Sequence, residues 1–188
     1  MLRRAFYSTL LVGLRVAVLA GLVTLVSGPV CAQSLSESAL KVAYIFNFAK
    51  FVEWPAGHIE ERTKFGICHG GTTGALFREL GALEDKIVKS KPIEVLRVSD
   101  AAKLEKCAVL VLGEGLAVTT RQALLRTAEA NAVLTVADVD VPTAGSVFGL
   151  FQSGDRVAFE VNLESARAAG LRVPSQLARL GKVVGTPR

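Results

Sequence analysis

The sequence contains few of the residues and motifs that enzymes use for chemistry. Among its 188 residues are two histidines and three cysteines, and no Cys-x-x-Cys pair occurs. It also lacks the nucleophile elbow Gly-x-Ser-x-Gly, the zinc motif His-Glu-x-x-His, a Walker loop and the dinucleotide fingerprint. We therefore predict no catalytic residues, no metal site and no cofactor.

Acidic residues are absent before Glu37, and the only basic residues there are three arginines. Residues 16–26 (VAVLAGLVTLV) form an apolar run that breaks at Gly28-Pro29, and small residues follow up to Ala32. A positively charged N-terminal region, a short apolar run and small residues before the cleavage site are typical of a secretory signal peptide. We predict that residues 1–32 are cleaved and that residues 33–188 form the mature protein. The alternative is a membrane-spanning anchor, but spanning needs about 20 apolar residues and the run at residues 16–26 is shorter.

Removing residues 1–32 changes the charge of the chain. The whole sequence has 22 basic and 17 acidic residues and a net charge of +5. The predicted mature chain keeps 19 basic and 17 acidic residues, so it is nearly neutral. It contains neither a basic run of the kind that nucleic-acid binders use nor an apolar run that could span a bilayer. We expect no nucleic-acid partner and no membrane-spanning segment after processing.

The cysteines form an even pair once Cys31 leaves with the signal peptide. In an exported chain, Cys68 and Cys107 would be expected to form a disulfide. Two free, buried thiols are the alternative. A metal site is disfavoured because His69 is the one histidine near either cysteine.

Apolar periodicity and glycine or proline breaks divide the mature chain into alternating elements. We predict strands at residues 64–69, 91–98, 107–112 and 132–136, and a β-hairpin of residues 146–151 and 156–161. Helices are predicted at residues 37–53, 74–83, 120–130, 162–169 and 174–184. This order predicts a single α/β domain with a mainly parallel sheet, flanked by helices, and an antiparallel hairpin at one edge.

The first predicted helix is apolar on two sides. One broad face is expected to dock on the core, and a second, narrower stripe carries Val42, Phe46 and Ala49. Together with Trp54 at the end of this segment, the stripe is a candidate surface for a partner protein. The alternative is a helix enclosed on both sides by its own domain.

His69 ends the first predicted strand, where open α/β sheets bind ligands. The following Gly70, Gly71, Thr72 and Thr73 lead into the next predicted helix, whose amino end favours anions. These five residues are a candidate ligand pocket for a small anion. The alternative is a tight turn that needs flexible glycines.

Three blocks of sequence carry a resemblance to a known family. Residues 41–55 (KVAYIFNFAKFVEWP) resemble the opening helix of YfiR-like proteins of Gram-negative bacteria. Residues 134–139 (LTVADV) and 156–184 (RVAFEVNLESARAAGLRVPSQLARLGKVV) are similar to later family blocks. Cys68 and Cys107 stand where many members carry a cysteine pair, whereas a second pair found near the hairpin of some relatives is missing here.

The resemblance implies a periplasmic regulatory protein rather than an enzyme. Family members of this kind repress a membrane-bound diguanylate cyclase by engaging its periplasmic sensor domain, which lowers cyclic di-GMP and limits biofilm formation. The resemblance also implies a homodimer. The alternative function is a small-ligand sensing module that uses His69–Thr73 and acts on another membrane receptor.

Overall fold

The fold begins with helix α1, Glu37–Phe51. Residues 36–138 and 145–185 are described by the computed structural model, so the predicted signal peptide lies outside the described residues. Ser36 caps the helix, because its Oγ accepts a hydrogen bond from the amide of Ala39 at 3.1 Å. Glu37 in the first turn and Lys50 in the last complement the helix dipole.

The remaining elements alternate along the chain. The strands are β1 (Phe65–Gly70), β2 (Ile87–Val88), β3 (Lys91–Val98), β4 (Cys107–Leu112), β5 (Leu134–Asp138), β6 (Phe148–Ser153), β7 (Arg156–Asn162) and β8 (Lys182–Val184). The helices after α1 are α2 (Ala75–Leu80), α3 (Val118–Ala130), α4 (Leu163–Ala168) and α5 (Ser175–Ala178). Short 3₁₀ turns cover Gly81–Leu83 and Ala101–Lys106.

The eight strands form one sheet in the order β2-β3-β1-β4-β5-β6-β7-β8. Strand pairs β1–β3, β1–β4, β4–β5, β5–β6 and β7–β8 are parallel, and pairs β2–β3 and β6–β7 are antiparallel. The prediction of a single α/β domain with a mainly parallel sheet and a late hairpin is confirmed. Within the described ranges, no helix is long and apolar enough to cross a membrane.

Alternating side chains of the central strands divide the core into two clusters. Phe65 and Ile67 of β1 face α1, α2 and the C-terminal helices. Cys68, on the opposite face of β1, packs in the smaller cluster with Leu104 and with Leu124 of α3. The continuous apolar strand β4 contributes to both clusters, as expected for a strand that is covered on two sides.

Aromatic rings fix α1 on the sheet. Phe48 stacks on Phe148 of β6 with ring centroids 3.9 Å apart, and meets Phe159 of β7 edge-on at 5.0 Å. Tyr44 lies 5.4 Å from Phe159, and its hydroxyl donates a hydrogen bond to the carbonyl oxygen of Val157. Since α1 also contacts α2, this helix is enclosed on two sides.

Two short strands differ from the prediction. The segment predicted as a helix over residues 174–184 is a helix in Ser175–Ala178, after which the chain turns at Gly181 and adds β8 beside β7. A Cβ at Gly181 would overlap the ring of Phe159, so this turn requires glycine. β2 was not predicted, and it pairs with the start of β3.

Candidate functional site

The candidate site lies at the carboxyl edge of the sheet, between β1 and β4. After β1 the chain turns to α2 on one face, and after β4 it turns to α3 on the other. Open α/β sheets bind ligands at such a point. The two loops are tied together, because the amide of Gly113 donates to the carbonyl oxygen of Gly70 at 2.8 Å and that of Thr72 donates to Glu114 at 3.0 Å.

Two glycines allow the loops to approach this closely. Gly71 has a φ of +127°, and a Cβ there would lie 2.5 Å from the carbonyl oxygen of Glu114. A Cβ at Gly113 would lie 2.7 Å from Nε2 of His69. The backbone of the β4 loop therefore packs directly against the His69 ring.

His69 is the central polar side chain of this edge. It projects to the α2 side, where its ring lies 5.3 Å from that of Phe77, and it is 2% exposed. Its Nδ1 is buried and has no hydrogen-bond partner among the described residues. Burial lowers the pKa of His69, although the charge of Asp138 opposes this shift. The imidazole is therefore neutral near pH 7.

A pocket of about 180 Å³ opens beside this ring, and we call it the His69 pocket. Its polar lining consists of Ser38, His69, Thr72, Glu114 and Asp138. Of the five residues predicted for a ligand pocket, His69 and Thr72 line it. Gly70 and Gly71 shape the adjoining loop, and Thr73 does not line the pocket. The charged lining groups are carboxylates, which disfavour the anion that the sequence suggested.

Lys41 connects α1 to this pocket. Its Nζ lies 2.6 Å from a carboxylate oxygen of Glu37 and 2.6 Å from one of Asp138. The side chains of Lys41 and Asp138 are 12% and 15% exposed. Burial lowers the pKa of Lys41, but the hydrogen bonds and charges of both carboxylates outweigh it, so the pKa is raised. Lys41 remains charged and ties the start of α1 to the end of β5.

His58, the other histidine, lies outside the pocket. Its carbonyl oxygen accepts a hydrogen bond from Nε of Arg62 at 3.0 Å, and its Nε2 lies 3.1 Å from Nη2 of the same arginine. Burial and the charge of Arg62 lower the pKa of His58. These contacts give His58 a local role in its loop.

The predicted disulfide is present and joins β1 to β4. Cys68 and Cys107 are fully buried, with Cα atoms 5.7 Å apart and a sequence separation of 39. His69 follows Cys68 directly but faces the opposite side of the sheet. The disulfide therefore fixes the two strands whose loops form the His69 pocket.

The predicted partner stripe on α1 divides into buried and accessible residues. Val42 and Ala49 are buried in the core, because α1 is enclosed by α2 and the sheet. For these two side chains, the alternative of a helix enclosed by its own domain holds. The prediction that Val42 and Ala49 face a partner is therefore corrected. Phe46 and Trp54 are partly exposed, and their role in partner binding stays a prediction.

An aromatic–lysine patch surrounds Phe46 and Trp54. Phe51, the last residue of α1, is 52% exposed. The ammonium groups of Lys50 and Lys86 lie 5.6 Å and 6.0 Å from the ring centroid of Phe46. The ammonium group of Lys89 lies 6.0 Å from the ring centroid of Trp54. We define the patch as Phe46, Lys50, Phe51, Trp54, Lys86 and Lys89.

Sequence reasoning did not place Lys41, Glu114 or Asp138 at this pocket. Asp138 ends a buried strand, as His69 ends another. Because open α/β sheets bind ligands at the carboxyl ends of their strands, the same reasoning could have identified Asp138. The proximity of Lys41 depends on how α1 crosses the sheet, for which the sequence holds no local signal. Among the described residues, no group of three or more histidine, cysteine, aspartate or glutamate side chains could hold a metal ion.

The fold and this site define an α/β domain with a small polar pocket and an exposed aromatic surface. A family model described as YfiR/HmsC-like matches residues 38–182, and the chain belongs to that family. This family is regulatory rather than catalytic and is periplasmic. No curated protein matches the chain.

Proposed function

We propose that this protein is a periplasmic negative regulator that binds the periplasmic sensor domain of a membrane-bound diguanylate cyclase and so lowers cyclic di-GMP. Membership of the YfiR/HmsC-like family over residues 38–182 carries the proposal. In this proposal residues 1–32 are the cleaved signal peptide, and the mature chain acts as a homodimer.

The aromatic–lysine patch is the surface that we assign to the sensor domain. Exposed aromatic and aliphatic side chains are typical anchors of protein interfaces. Phe51, with the partly exposed Phe46 and Trp54, supplies such anchors, and the three lysines around them favour a partner surface rich in carboxylates.

Deletion of the gene in its host tests the regulatory role. We expect cellular cyclic di-GMP to rise, because the cyclase would lose its repressor, and expression from a plasmid should restore the original level. An unchanged level after deletion would contradict the proposal.

Complementation with surface variants tests the patch. Phe51→Ser should fail to restore repression, because the variant loses an exposed anchor of the patch. Val118→Ser is the matched control, since Val118 is 68% exposed and lies at the start of α3 on the other face of the sheet. Equal repression by both variants, at equal protein levels, would remove the patch from the interface.

A second candidate function is small-ligand sensing, and the His69 pocket favours it. A buried imidazole nitrogen without a partner at a concave sheet edge is a feature of ligand sites. Thermal shift against a library of small metabolites should give hits that His69→Gln abolishes and His58→Gln retains. A library without hits would count against this function.

A further inference from the structure

We propose that the His69 pocket binds a small ligand that carries an ammonium group. This inference rests on the second candidate function, ligand binding at this pocket, and names the class of ligand. Regulation of a cyclase is not needed for it.

The charge of the pocket favours a cation. Glu114 and Asp138 line it, and Glu37 lies next to it through Lys41. The cationic groups near the pocket are Lys41 and Arg97, whose charge also acts on His69, so the three carboxylates still leave a negative excess. Lys41 already shows that an ammonium group is held between carboxylates here, at 2.6 Å from each. A ligand ammonium would find Glu114 without an ion-pair partner among the described residues.

His69 supplies the second, independent observation. A buried polar atom without a hydrogen bond carries a desolvation cost, so native structures rarely leave one. The Nδ1 of His69 is such an atom, and the ring that carries it lines the pocket. A neutral imidazole offers one acceptor and one donor nitrogen, so it can accept an N–H from an amine or donate to a second polar group of the ligand.

The size of the pocket limits the ligand. Its volume of about 180 Å³ is smaller than that of pockets for drug-sized molecules. It corresponds to about six water molecules at roughly 30 Å³ each. We therefore expect the part of the ligand that enters the pocket to have about six non-hydrogen atoms.

Three four-carbon probes separate the possible chemistries. Putrescine carries two ammonium groups, 1,4-butanediol is its uncharged counterpart and succinate is its anionic counterpart. Calorimetric titration of the purified, oxidised protein should detect putrescine binding that weakens with added salt. The other two probes should bind at least about tenfold more weakly, because they lose a hydrogen bond between charged groups.

Variants locate the binding. Glu114→Gln should weaken putrescine by about tenfold, since the charge is lost while the backbone contact to Thr72 is retained. His69→Gln should also weaken binding, and Glu60→Gln, an exposed loop carboxylate, should not. Asp138→Asn should weaken binding too, and Glu114→Gln, at an exposed loop residue, keeps the test valid if Asp138→Asn fails to fold.

Each other outcome overturns the inference in a distinct way. Preferential succinate binding would restore the anion site and leave ligand sensing standing. Equal binding of butanediol would show that charge is not recognised. If Glu60→Gln weakens putrescine binding as much as Glu114→Gln does, the binding is non-specific electrostatic attraction. Absence of binding by all three probes would overturn the ammonium ligand, whereas the cyclase proposal is decided by its own deletion test.

Discussion

Breaking the Cys68–Cys107 disulfide is expected to destabilise the domain by an amount that follows from loop length. In the chain-entropy model, a bond across 39 residues removes freedom from the unfolded chain worth about 4 kcal/mol. For a domain of this size, 1 kcal/mol shifts the melting temperature by about 2–4 °C. We therefore expect the reduced protein to melt about 8–16 °C lower than the oxidised protein.

The assay is equilibrium unfolding in urea with and without a phosphine reductant. Because both sulfurs are fully buried, reduction is carried out in the denatured state and confirmed by thiol titration. Under reductant, Cys68→Ala should cost about a further 1 kcal/mol, comparable to the loss of one buried methylene. The double variant Cys68→Ala/Cys107→Ala is the control and should not respond to reductant. Equal free energies of unfolding for oxidised and fully reduced protein would refute the reasoning.

Three further predictions concern the stability contributions of single residues. In urea unfolding, Gly66→Ala should lower the free energy of unfolding by about 1–3 kcal/mol, because its Cβ would overlap the carbonyl oxygen of Lys106. The control is Gly81→Ala, which should be neutral or slightly stabilising. Gly81 has a helical conformation, and no atom lies within 4 Å of its Cβ position. Since burial lowers the pKa of His69 in the folded state, the unfolded chain binds the proton more readily, and stability should fall as the pH drops below about 6.5. His69→Gln should lose less stability between pH 7.5 and pH 5.5 than the parent protein, and an equal loss would contradict the assignment. Lys41→Met should cost about 1–3 kcal/mol, because two carboxylates lose their charged partner, and an unchanged urea midpoint would show that the ion pairs contribute nothing.

Elements with a strong local signal were predictable from the sequence. β4 was placed at residues 107–112 because an unbroken apolar run bounded by glycine suits a strand buried on both faces. β2 and β8 were not predictable, because they have two and three residues and owe their pairing to β3 and β7. No periodicity can be read over so few positions.

The site was predictable where it depends on one strand. His69 was assigned to the carboxyl edge because β1 was recognised, and the pocket lies there. Asp138 joins it from β5, which is separated from β1 by β4, so its proximity depends on strand order. Helical periodicity placed Val42 and Ala49 on a second stripe, but it could not show that the domain itself buries these two side chains.

Helix α1 is the physical link between the two candidate surfaces. Ser38 and Lys41 near its start lie at the His69 pocket, and Lys50 and Phe51 at its end belong to the aromatic–lysine patch. At 1.5 Å per residue, the 15 residues of α1 span about 22 Å. A ligand changes the affinity for a partner only if it binds two states of the protein differently, and the partner then changes the ligand's affinity by the same factor. In this fold such a difference would arise at Lys41, because its ion pair with Asp138 joins the helix to the pocket.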